Sequence, residues 1–479
     1  MSRLSLEQRL AEAKPVRAVR EALAEAPASA WFVGGVVRDA LLGRPLGDVD
    51  VVIEGDPEAA TRAVARRVGG PAFPLSEEFG AWRALDRSRR FSCDVSPLQG
   101  QTIEDDLRRR DFTVNAVAVP LGGGPPVDPA GGIEDLRRGT LRVQGPAAYA
   151  EDPLRPLRLV RLSAELGLAP DPDTERLTAA AAPRLTEPSP ERVFAELRRT
   201  LLAPGVLAAL ELAERLGVLA AVLPEVAVLR GVEQSRFHHL DVYEHTLEVL
   251  RQVLELEGRL DELFGELAQP LRELLAEPLA DELTRMQALR FGALFHDVAK
   301  PETRGIRPDG KVTFIGHDAV GAETVERIFR RLRTSERLRA FVSGLTRHHL
   351  VLGFLVRERP LAPRTVYAYL RQCAPVEVEV TVLSCADRLA TRGANAEGAI
   401  AAHLELAREL IGPALEWRAA GPPKPPVRGD DLALELAIEP GPELGALLTR
   451  LEEAAYTGEA VTREDALALA RRLREDAGP

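Results

Sequence analysis

The sequence contains little cysteine, almost no lysine and no long apolar segment, and each shortage narrows the classes of protein to consider. Its three cysteines, Cys93, Cys373 and Cys385, form no C-x-x-C pair, which argues against a disulfide framework and a cysteine zinc site. No apolar run approaches the roughly 18 residues that a membrane span requires. The N-terminal stretch MSRLSLEQRLAEAK is too polar for a secretion signal. We therefore expect a cytoplasmic protein without a membrane partner.

The protein also has no excess of positively charged residues over negatively charged ones. The net charge at pH 7 is −11, which argues against nonspecific coating of nucleic acid but is compatible with a local basic groove. The basic residues are nearly all arginine, since the only lysines are Lys14, Lys300, Lys311 and Lys424. Arginine donates through a planar fork that suits phosphate.

Length and pattern predict several domains. For 479 residues, about three domains is the first expectation. Short apolar strands, such as those at 31–35 and 47–55, alternate with helical segments in the first part of the chain. From Glu151 onward, segments rich in Ala, Leu and Arg predict helices almost throughout, and a proline-rich linker at 421–431 precedes a helical tail.

The stretch GDVDVVIEG places two carboxylates on one side of a strand. Residues i and i+2 face the same way, so Asp48 and Asp50 would repel each other unless a cation lies between them. Mg²⁺ binds through one or two carboxylates together with substrate phosphates. Upstream, Gly34 and Gly35 precede a helix with Arg38 in its first turn, a pattern that suits phosphate. A solvated surface pair and an ordinary tight turn remain the alternatives.

Together these motifs resemble those of a known enzyme family. The segment GGVVRDALLGRPLGDVDVV (34–52) resembles the first motif of class II tRNA nucleotidyltransferases and poly(A) polymerases. Four further segments resemble the second to fifth motifs in order, and a sixth resembles the C-terminal part. These segments are RRRDFTVNA (108–116), VDPAGGIEDLRRGTLR (127–142), EDPLRPLR (151–158), ERVFAELRR (191–199) and GDDLALELAIEPGPELGALL (429–448). The resemblance implies an α/β nucleotidyltransferase head followed by mostly all-α neck, body, HD and tail domains.

The resemblance also implies a nucleotide site, with Asp48 and Asp50 as the catalytic residues that hold Mg²⁺. In the second motif, arginines can pair with phosphates, and an aspartate and an asparagine can bind a ribose hydroxyl. In the fourth, Asp152 and Arg155 would share one face of a helix that starts with Pro153, and would accept C and A but reject G and U. An ordinary helix ion pair is the alternative. The expected nucleotide-binding residues are Gly34, Gly35, Arg38, Arg109, Arg110, Asp111, Asn115, Asp152, Arg155 and Arg158.

One departure from the family pattern concerns the substrate range. Related enzymes that add the complete CCA end carry a polar flexible loop between the first two motifs, whereas CDVSPLQGQTIEDDL (93–107) crosses that gap in few residues. Loss of the loop is associated with addition of the two cytidines alone. We therefore expect a CC-adding enzyme, with full CCA addition and A-only addition as alternatives. The implied partners are the tRNA acceptor arm and CTP and/or ATP, and no protein partner is expected. Asp94 is a candidate third metal carboxylate, or else a charge at a strand edge.

The histidines are few and grouped. The chain has eight, and the order H…HD…H…H…D resembles the HD phosphohydrolase superfamily, an all-helical metal-binding fold. The resemblance implies a site for Mg²⁺ or a divalent transition metal, where two ions would activate water against a phosphoester. The implied ligands are His245, His296, Asp297, His317, His348 and Asp387. His348 is preferred to His349 by its position in the family pattern, and His238, His239 and His403 are assigned structural or surface roles.

The sequence thus predicts four domains. They are a catalytic head at 1–146, a helical neck and body at 147–231, an HD domain at 232–400 and a tRNA-binding helical tail at 401–479. A poly(A) polymerase shares the head motifs but typically has a basic C-terminus and no HD domain. A nucleotide hydrolase with an inactive head conflicts with the intact Asp48, Asp50, Arg110 and Asp152. A noncatalytic RNA-binding module gives no reason for the paired carboxylates.

Overall fold

The structure, a computed structural model, describes residues 5–24, 29–76, 80–88, 91–234, 240–391 and 396–477. The chain forms two compact units, Met1–Val222 and Leu223–Pro479. Within the described ranges, none of the helices combines the length and the apolar character needed to cross a membrane.

The first unit begins as a mixed sheet with helices and continues almost entirely as helices. Its strands are β1 (Ala30–Val33), β2 (Asp48–Ile53), β3 (Ala72–Ser76), β4 (Ala81–Leu85), β5 (Ser92–Pro97), β6 (Ala118–Pro120), β7 (Thr140–Leu141) and β8 (Ala169–Pro170). Its helices are α1 (Leu6–Glu12), α2 (Lys14–Leu23), α3 (Gly35–Leu42), α4 (Pro57–Val68), α5 (Ile103–Arg108), α6 (Gly132–Arg138), α7 (Pro146–Glu151), α8 (Arg155–Leu166), α9 (Pro172–Ala181), α10 (Pro190–Leu202), α11 (Val206–Arg215) and α12 (Val218–Val222). The expected α/β head followed by helices is confirmed.

Both faces of the sheet pack against apolar residues, and the acidic side chains of β2 lie on the face that also carries Val52. Its strand order is β3-β4-β5-β2-β1-β6, in which β2 and β5 run parallel and the other neighbours antiparallel. Because side chains alternate along a strand, Val49 and Val51 of β2 enter the core with residues of α2 and α4 such as Val19 and Val64. Asp48 and Asp50 therefore project from the other face of the same strand.

Local sequence sets the bounds of the helices that flank β2. The side chain of Asp56 accepts a hydrogen bond from the Glu58 backbone N–H and caps the start of α4, as expected of an aspartate N-cap. Gly43 and Gly69 end α3 and α4 in the left-handed conformation, each with φ 73°. Both helices therefore stop where the chain must turn towards a strand.

The second unit is helical apart from two small two-stranded sheets. Its strands are β9 (Pro278–Ala280), β10 (Leu283–Thr284), β11 (Arg304–Ile306) and β12 (Val312–Phe314). Its helices are α13 (Pro224–Ala227), α14 (Val242–Phe264), α15 (Ala268–Leu275), α16 (Arg285–Phe295), α17 (Lys300–Thr303), α18 (His317–Arg331), α19 (Glu336–His348), α20 (Val351–Leu355), α21 (Pro363–Cys373), α22 (Glu377–Ala390), α23 (Ala396–Ala420), α24 (Gly429–Leu436), α25 (Pro442–Thr457) and α26 (Arg463–Ala477).

Within this unit, the helices form a bundle and a smaller tail. α16 and α22 each pack against α14, against α19 and against each other. α18 packs against α19, and α23 packs against α22. The tail helices α24 to α26 share a separate core that includes Leu432, Leu451 and Ala466. The domain boundary that we expected between residues 400 and 401 falls inside α23.

Candidate active site and metal cluster

Three carboxylates meet on the face of the sheet that carries Asp48 and Asp50. Asp50 lies opposite Asp94 in the parallel pairing of β2 with β5, and Asp48 accepts a hydrogen bond of 2.6 Å from the Ser92 hydroxyl. Burial, and after it the charge of Asp94, raises the pKa of Asp50 to about 6. A set of oxygen ligands that repel one another in this way suits a hard divalent cation. Asp94 thus lies where a third metal carboxylate would be needed.

Arg83 of β4 was not among the expected site residues, although it contacts one of the three carboxylates, that of Asp94, directly. Its guanidinium donates to both oxygens of Asp94, at 2.6 and 2.7 Å. β4 and β5 pair so that Arg83 lies directly opposite Asp94. No signal in the sequence indicated this residue, because the pairing of the two strands alone brings it to the site.

The Gly34–Gly35 turn brings backbone close to the same carboxylates. Gly34 has φ 66°, and a Cβ atom added there would lie 3.1 Å from Nη1 of Arg110 and 3.2 Å from Oδ2 of Asp50. Gly35 begins α3, and its backbone hydrogen bond to Asp50 helps to offset the rise in the pKa of that group. Glycine is therefore required at position 34 both by the backbone conformation and by the space available.

A chain of hydrogen bonds links the residues expected to bind ribose and phosphate. Arg38 donates to Asn115 at 2.7 Å, Asn115 donates to Asp111 at 2.9 Å, and Arg158 donates to Asp111 at 3.2 Å. Burial by itself would raise the pKa of Asp111, but Arg158 and then Asn115 lower it below its usual value. Asp111 is therefore an ionised acceptor held between two expected site residues.

Two arginines of α8, the half-buried Arg158 and the buried Arg161, are held by one glutamate of α10. Arg158 donates from Nε to Glu196 at 3.2 Å, and Arg161 donates to the other oxygen of Glu196. Arg161 also pairs with Glu165 at 2.6 Å. Glu196 belongs to the ERVFAELRR segment, so the sequence contained a signal for it, but it was not singled out.

The expectation that Asp152 and Arg155 share a helix face is wrong. α8 begins at Arg155, and Asp152 lies before it in an extended conformation with φ −138° and ψ 102°. The Asp152 side chain accepts a hydrogen bond from the Leu154 backbone N–H, which favours a turn over a helix at this point. Its second oxygen pairs with Arg192 at 2.8 Å. Pro156, and not Pro153, is the proline in the first turn of α8.

Arg155 is oriented by backbone carbonyls instead. It donates to Ala148 at 2.9 Å and to Arg109 at 3.1 Å. The side chain of Arg109 itself is exposed and lies 3.9 Å from Glu151.

Most of the expected head residues line one cavity of about 700 Å³. Its expected members are Gly34, Gly35, Arg38, Asp48, Asp50, Asp94, Arg110, Asp111, Asn115, Arg155 and Arg158. Arg83, Arg161, Glu196 and Arg199 line it as well and were not predicted. Arg109 and Asp152 were predicted but are not among the lining residues.

A second cluster, of histidines and aspartates, lies in the other unit. Two groups of three residues, His245–His296–Asp387 and Asp297–His317–His349, each bring their ligand atoms within 4.8 Å of one another. His245 Nε2 lies 3.0 Å from Asp387, and His317 Nε2 lies 3.2 Å from Asp297. We call these six residues the histidine–aspartate cluster.

The rings of the cluster are oriented so that their Nε2 atoms face inward. The Nδ1 atoms of His296, His317 and His349 bond to the carbonyl oxygens of Ala293, Phe314 and Thr346, at 2.9, 2.6 and 2.6 Å. A carbonyl that accepts from Nδ1–H leaves Nε2 as a free lone pair, which is the arrangement found at metal sites. Burial lowers the pKa of His349 to about 4, so this ring is neutral at pH 7. The donor set therefore fits divalent metal ions.

His349, rather than His348, belongs to this cluster. His348 is the last residue of α19 and lies outside both groups of ligand atoms. One residue along a helix is a rotation of about 100°, which turns His348 away from the direction in which His349 faces the cluster. His403 is buried and bonds to Ser384 at 3.0 Å, whereas His238 and His239 lie outside the described residues.

Comparison with known proteins identifies the family of the chain. Three segments of the chain match models of protein families. Residues 30–142 match the Poly A polymerase head domain, residues 167–229 match the probable RNA and SrmB-binding site of polymerase A, and residues 242–392 match the HD domain. An A-adding tRNA nucleotidyltransferase from Deinococcus radiodurans is 37% identical over 94% of this chain and 96% of that protein. The chain belongs to the tRNA nucleotidyltransferase family.

A further relative and two solved structures align with nearly the whole chain. A CC-adding tRNA nucleotidyltransferase from Thermus thermophilus is 36% identical over 92% of this chain and 93% of that protein. Among solved structures, the Bacillus stearothermophilus CCA-adding enzyme in complex with CTP aligns with a TM-score of 0.64 and 24% identity, over 97% of this chain and 98% of that one. The Thermotoga maritima CCA-adding enzyme complexed with tRNA aligns at 0.60 and 20% identity, over 98% of each chain. These two likenesses show the shared fold. The chain is a nucleotidyl-transferring enzyme with an HD domain.

Proposed function

We propose that this tRNA nucleotidyltransferase adds the two cytidines of the tRNA 3′ end from CTP, and that a second enzyme adds the terminal adenosine. The observation that carries the proposal is the short connection between β5 and α5. Only the five residues from Leu98 to Thr102 separate the two elements. The polar flexible loop of enzymes that make the complete CCA end has no room there. Overall identity does not choose between subtypes, since the A-adding and CC-adding relatives are 37% and 36% identical.

In the proposed reaction, the tRNA 3′-hydroxyl attacks the α-phosphorus of CTP in line with the departing pyrophosphate. Asp48 and Asp50 would hold Mg²⁺, with Asp94 as a third ligand. The ion would supply positive charge next to the triphosphate oxygens. The start of α3, of which Gly35 and Val36 line the same cavity, would favour an anion there. Arg110, 3.1 Å from the Cβ position of Gly34, would pair with a phosphate oxygen.

Base selection would depend on Asp152 and Arg155. A carboxylate accepts from the amino group of C or A, and a guanidinium donates to the neighbouring ring nitrogen, whereas G and U offer the reverse pattern. Arg155 now donates to two backbone carbonyls, and Asp152 pairs with Arg192. Nucleotide binding would therefore exchange these contacts for contacts with the base.

The test uses three tRNA transcripts, ending before the CCA tail, after one C and after both. Each is incubated with Mg²⁺ and one labelled triphosphate, and products are sized on a gel. We expect CTP to add two residues to the shortest transcript, and ATP to leave the CC end unextended. An Asp50→Asn variant, which removes the negative charge of one expected ligand, serves as the inactive control. Completion of the tail with ATP would show full CCA addition, and use of ATP alone would show A-addition; either result overturns the CC-adding proposal.

We infer a second activity, metal-dependent hydrolysis of a phosphoester, from the histidine–aspartate cluster. Its two groups of three ligands match the number needed for two ions about 3.5–4 Å apart, which would activate water. The test measures phosphate release from an oligonucleotide with a 3′-phosphate, using Mg²⁺, Mn²⁺, Co²⁺ or Ni²⁺. Asp297→Asn should lower both bound metal and phosphate release while cytidine addition continues. Asp50→Asn should abolish cytidine addition while phosphate release continues. An Asp297→Asn variant that hydrolyses as fast as the wild type would exclude the cluster as the active site.

A further inference from the structure

A cleft extends to both sides of the histidine–aspartate cluster. One part has a volume of about 480 Å³ and the other about 460 Å³, and the two share Lys300, His317 and Leu350 as lining residues. The first part contains Arg357 and Arg388. The second is lined mainly by apolar side chains of β12, α20 and the segment between β12 and α18. The cleft thus has a cationic end, a central set of metal ligands and an apolar end.

The two arginines of the cationic end form no ion pair within the part of the chain that the structure describes. Neither guanidinium makes a hydrogen bond or an ion pair with any other residue in the described ranges, and Nε of Arg388 is buried without a partner. By contrast, Arg359 and Arg418 of the same unit each bind two carboxylates. Arg388 directly follows Asp387 of the cluster. Unpaired guanidinium groups on the wall of a cleft in an acidic protein indicate a site for an anion.

The apolar end has unusually exposed side chains. Ile315 is 77% exposed and Phe354 is 71% exposed, and both line the cleft next to Phe314. An aromatic ring on an open wall offers a surface on which a nucleobase can stack whatever its identity. Since this end shares His317 with the cluster, a stacked base would lie beside the metal ligands.

We propose that the cleft binds the 3′ end of a polynucleotide that carries a terminal phosphate, and that Arg357 and Arg388 hold the preceding phosphodiester. The terminal base would stack on Phe354 and Ile315, with the terminal phosphate at the cluster. The proposal rests on the hydrolase function inferred above. Water adds to the phosphorus, the bond from phosphorus to the 3′-oxygen breaks, and that oxygen takes a proton, leaving inorganic phosphate and a 3′-hydroxyl. A mononucleotide would leave the arginine subsite unused, so the cleft favours a chain over a single nucleotide.

The test compares the full chain with Arg357→Ala, Arg388→Ala and the matched control Arg337→Ala, an exposed arginine of α19 that lines none of this cleft. The probe is a labelled hexanucleotide ending in a 3′-phosphorothioate, and fluorescence anisotropy measures its binding. Competition by a mononucleoside 3′-phosphate gives the affinity for the short ligand. Binding to the head is common to all variants, so differences between them report on the cleft. Metal content and melting temperature are measured for each variant, and Arg388→Lys tests whether a conserved charge restores binding.

We expect each cleft variant to bind the hexanucleotide about tenfold more weakly, with little change for the mononucleotide. The slope of log affinity against log salt should fall by about 0.7 for each lost phosphate contact to a single strand. Equal binding by the cleft variants and Arg337→Ala would overturn the proposal. An equal loss for both ligands would also overturn it, because the arginines would then bind the terminal phosphate only. Chain-length preference without phosphate release would refute the hydrolase function and leave the subsite standing.

Discussion

Replacing Glu196 by glutamine should destabilise the first unit and weaken nucleotide binding together. Glu196 is 8% exposed and is shared by Arg158 and Arg161, of which Arg161 is only 6% exposed. Removing one partner of a buried ion pair costs about 3–5 kcal/mol. Here Asp111 still pairs with Arg158 and Glu165 with Arg161, and glutamine keeps one carbonyl acceptor. We therefore expect a loss of about 2–3 kcal/mol, below that range.

The loss should be visible by scanning calorimetry of the full chain. At about 2–4 °C per kcal/mol for a unit of this size, the melting temperature of the first unit should fall by about 5–10 °C. The matched control is Glu187→Gln, which breaks an exposed pair with Arg184 and should shift melting by no more than about 2 °C. Because Arg158 would lose one of its anchors beside Asp111, kcat/KM for CTP should fall about tenfold. Equal melting temperatures for the two variants would refute the reasoning.

Three further predictions concern the turn, the cluster and the thiols. Gly34→Ala places a side chain at φ 66°, against a guanidinium and a carboxylate, so cytidine addition should fall at least about tenfold in a folded protein; near-normal activity would contradict the proposed role of the turn. His349→Ala should lower the metal bound per chain, measured by mass spectrometry, whereas His348→Ala should not; the reverse result would restore the choice made from the sequence. Burial raises the pKa values of Cys373 and Cys385 to about 12, so at pH 8 both thiols should resist a disulfide reagent until denaturant is added.

The sequence predicted well wherever the chemistry is local. The i, i+2 spacing of Asp48 and Asp50 predicts a shared strand face, and β2 has that geometry. The Asp56 cap and the glycines after α3 and α4 are equally local, since each sets a helix end through residues close to it in sequence. Five ordered motifs sufficed for the family, because each motif is a contiguous segment.

The direction of side chains at the ends of helices was predicted less well. Asp152 and Arg155 have the spacing of a helix pair, but the bond from Leu154 to Asp152 holds the chain in a turn first. His348 and His349 are neighbouring residues of the same type, so the sequence does not distinguish them. The rotation of the chain at the end of α19 decides which of the two faces the cluster. A shift of one residue along a helix is enough to reverse such a choice.

By itself, therefore, the sequence determined the family, the α/β head with its helical continuation, and the identity of most of the acids, arginines and histidines. Tertiary structure alone decided which of them meet. Arg83 reaches Asp94 through strand pairing, Glu196 joins two arginines across α8 and α10, and Arg357 and Arg388 share one cleft. The physical reason is that the packing of whole helices and strands sets the distances between side chains that are far apart in sequence. This packing cannot be read from any short segment.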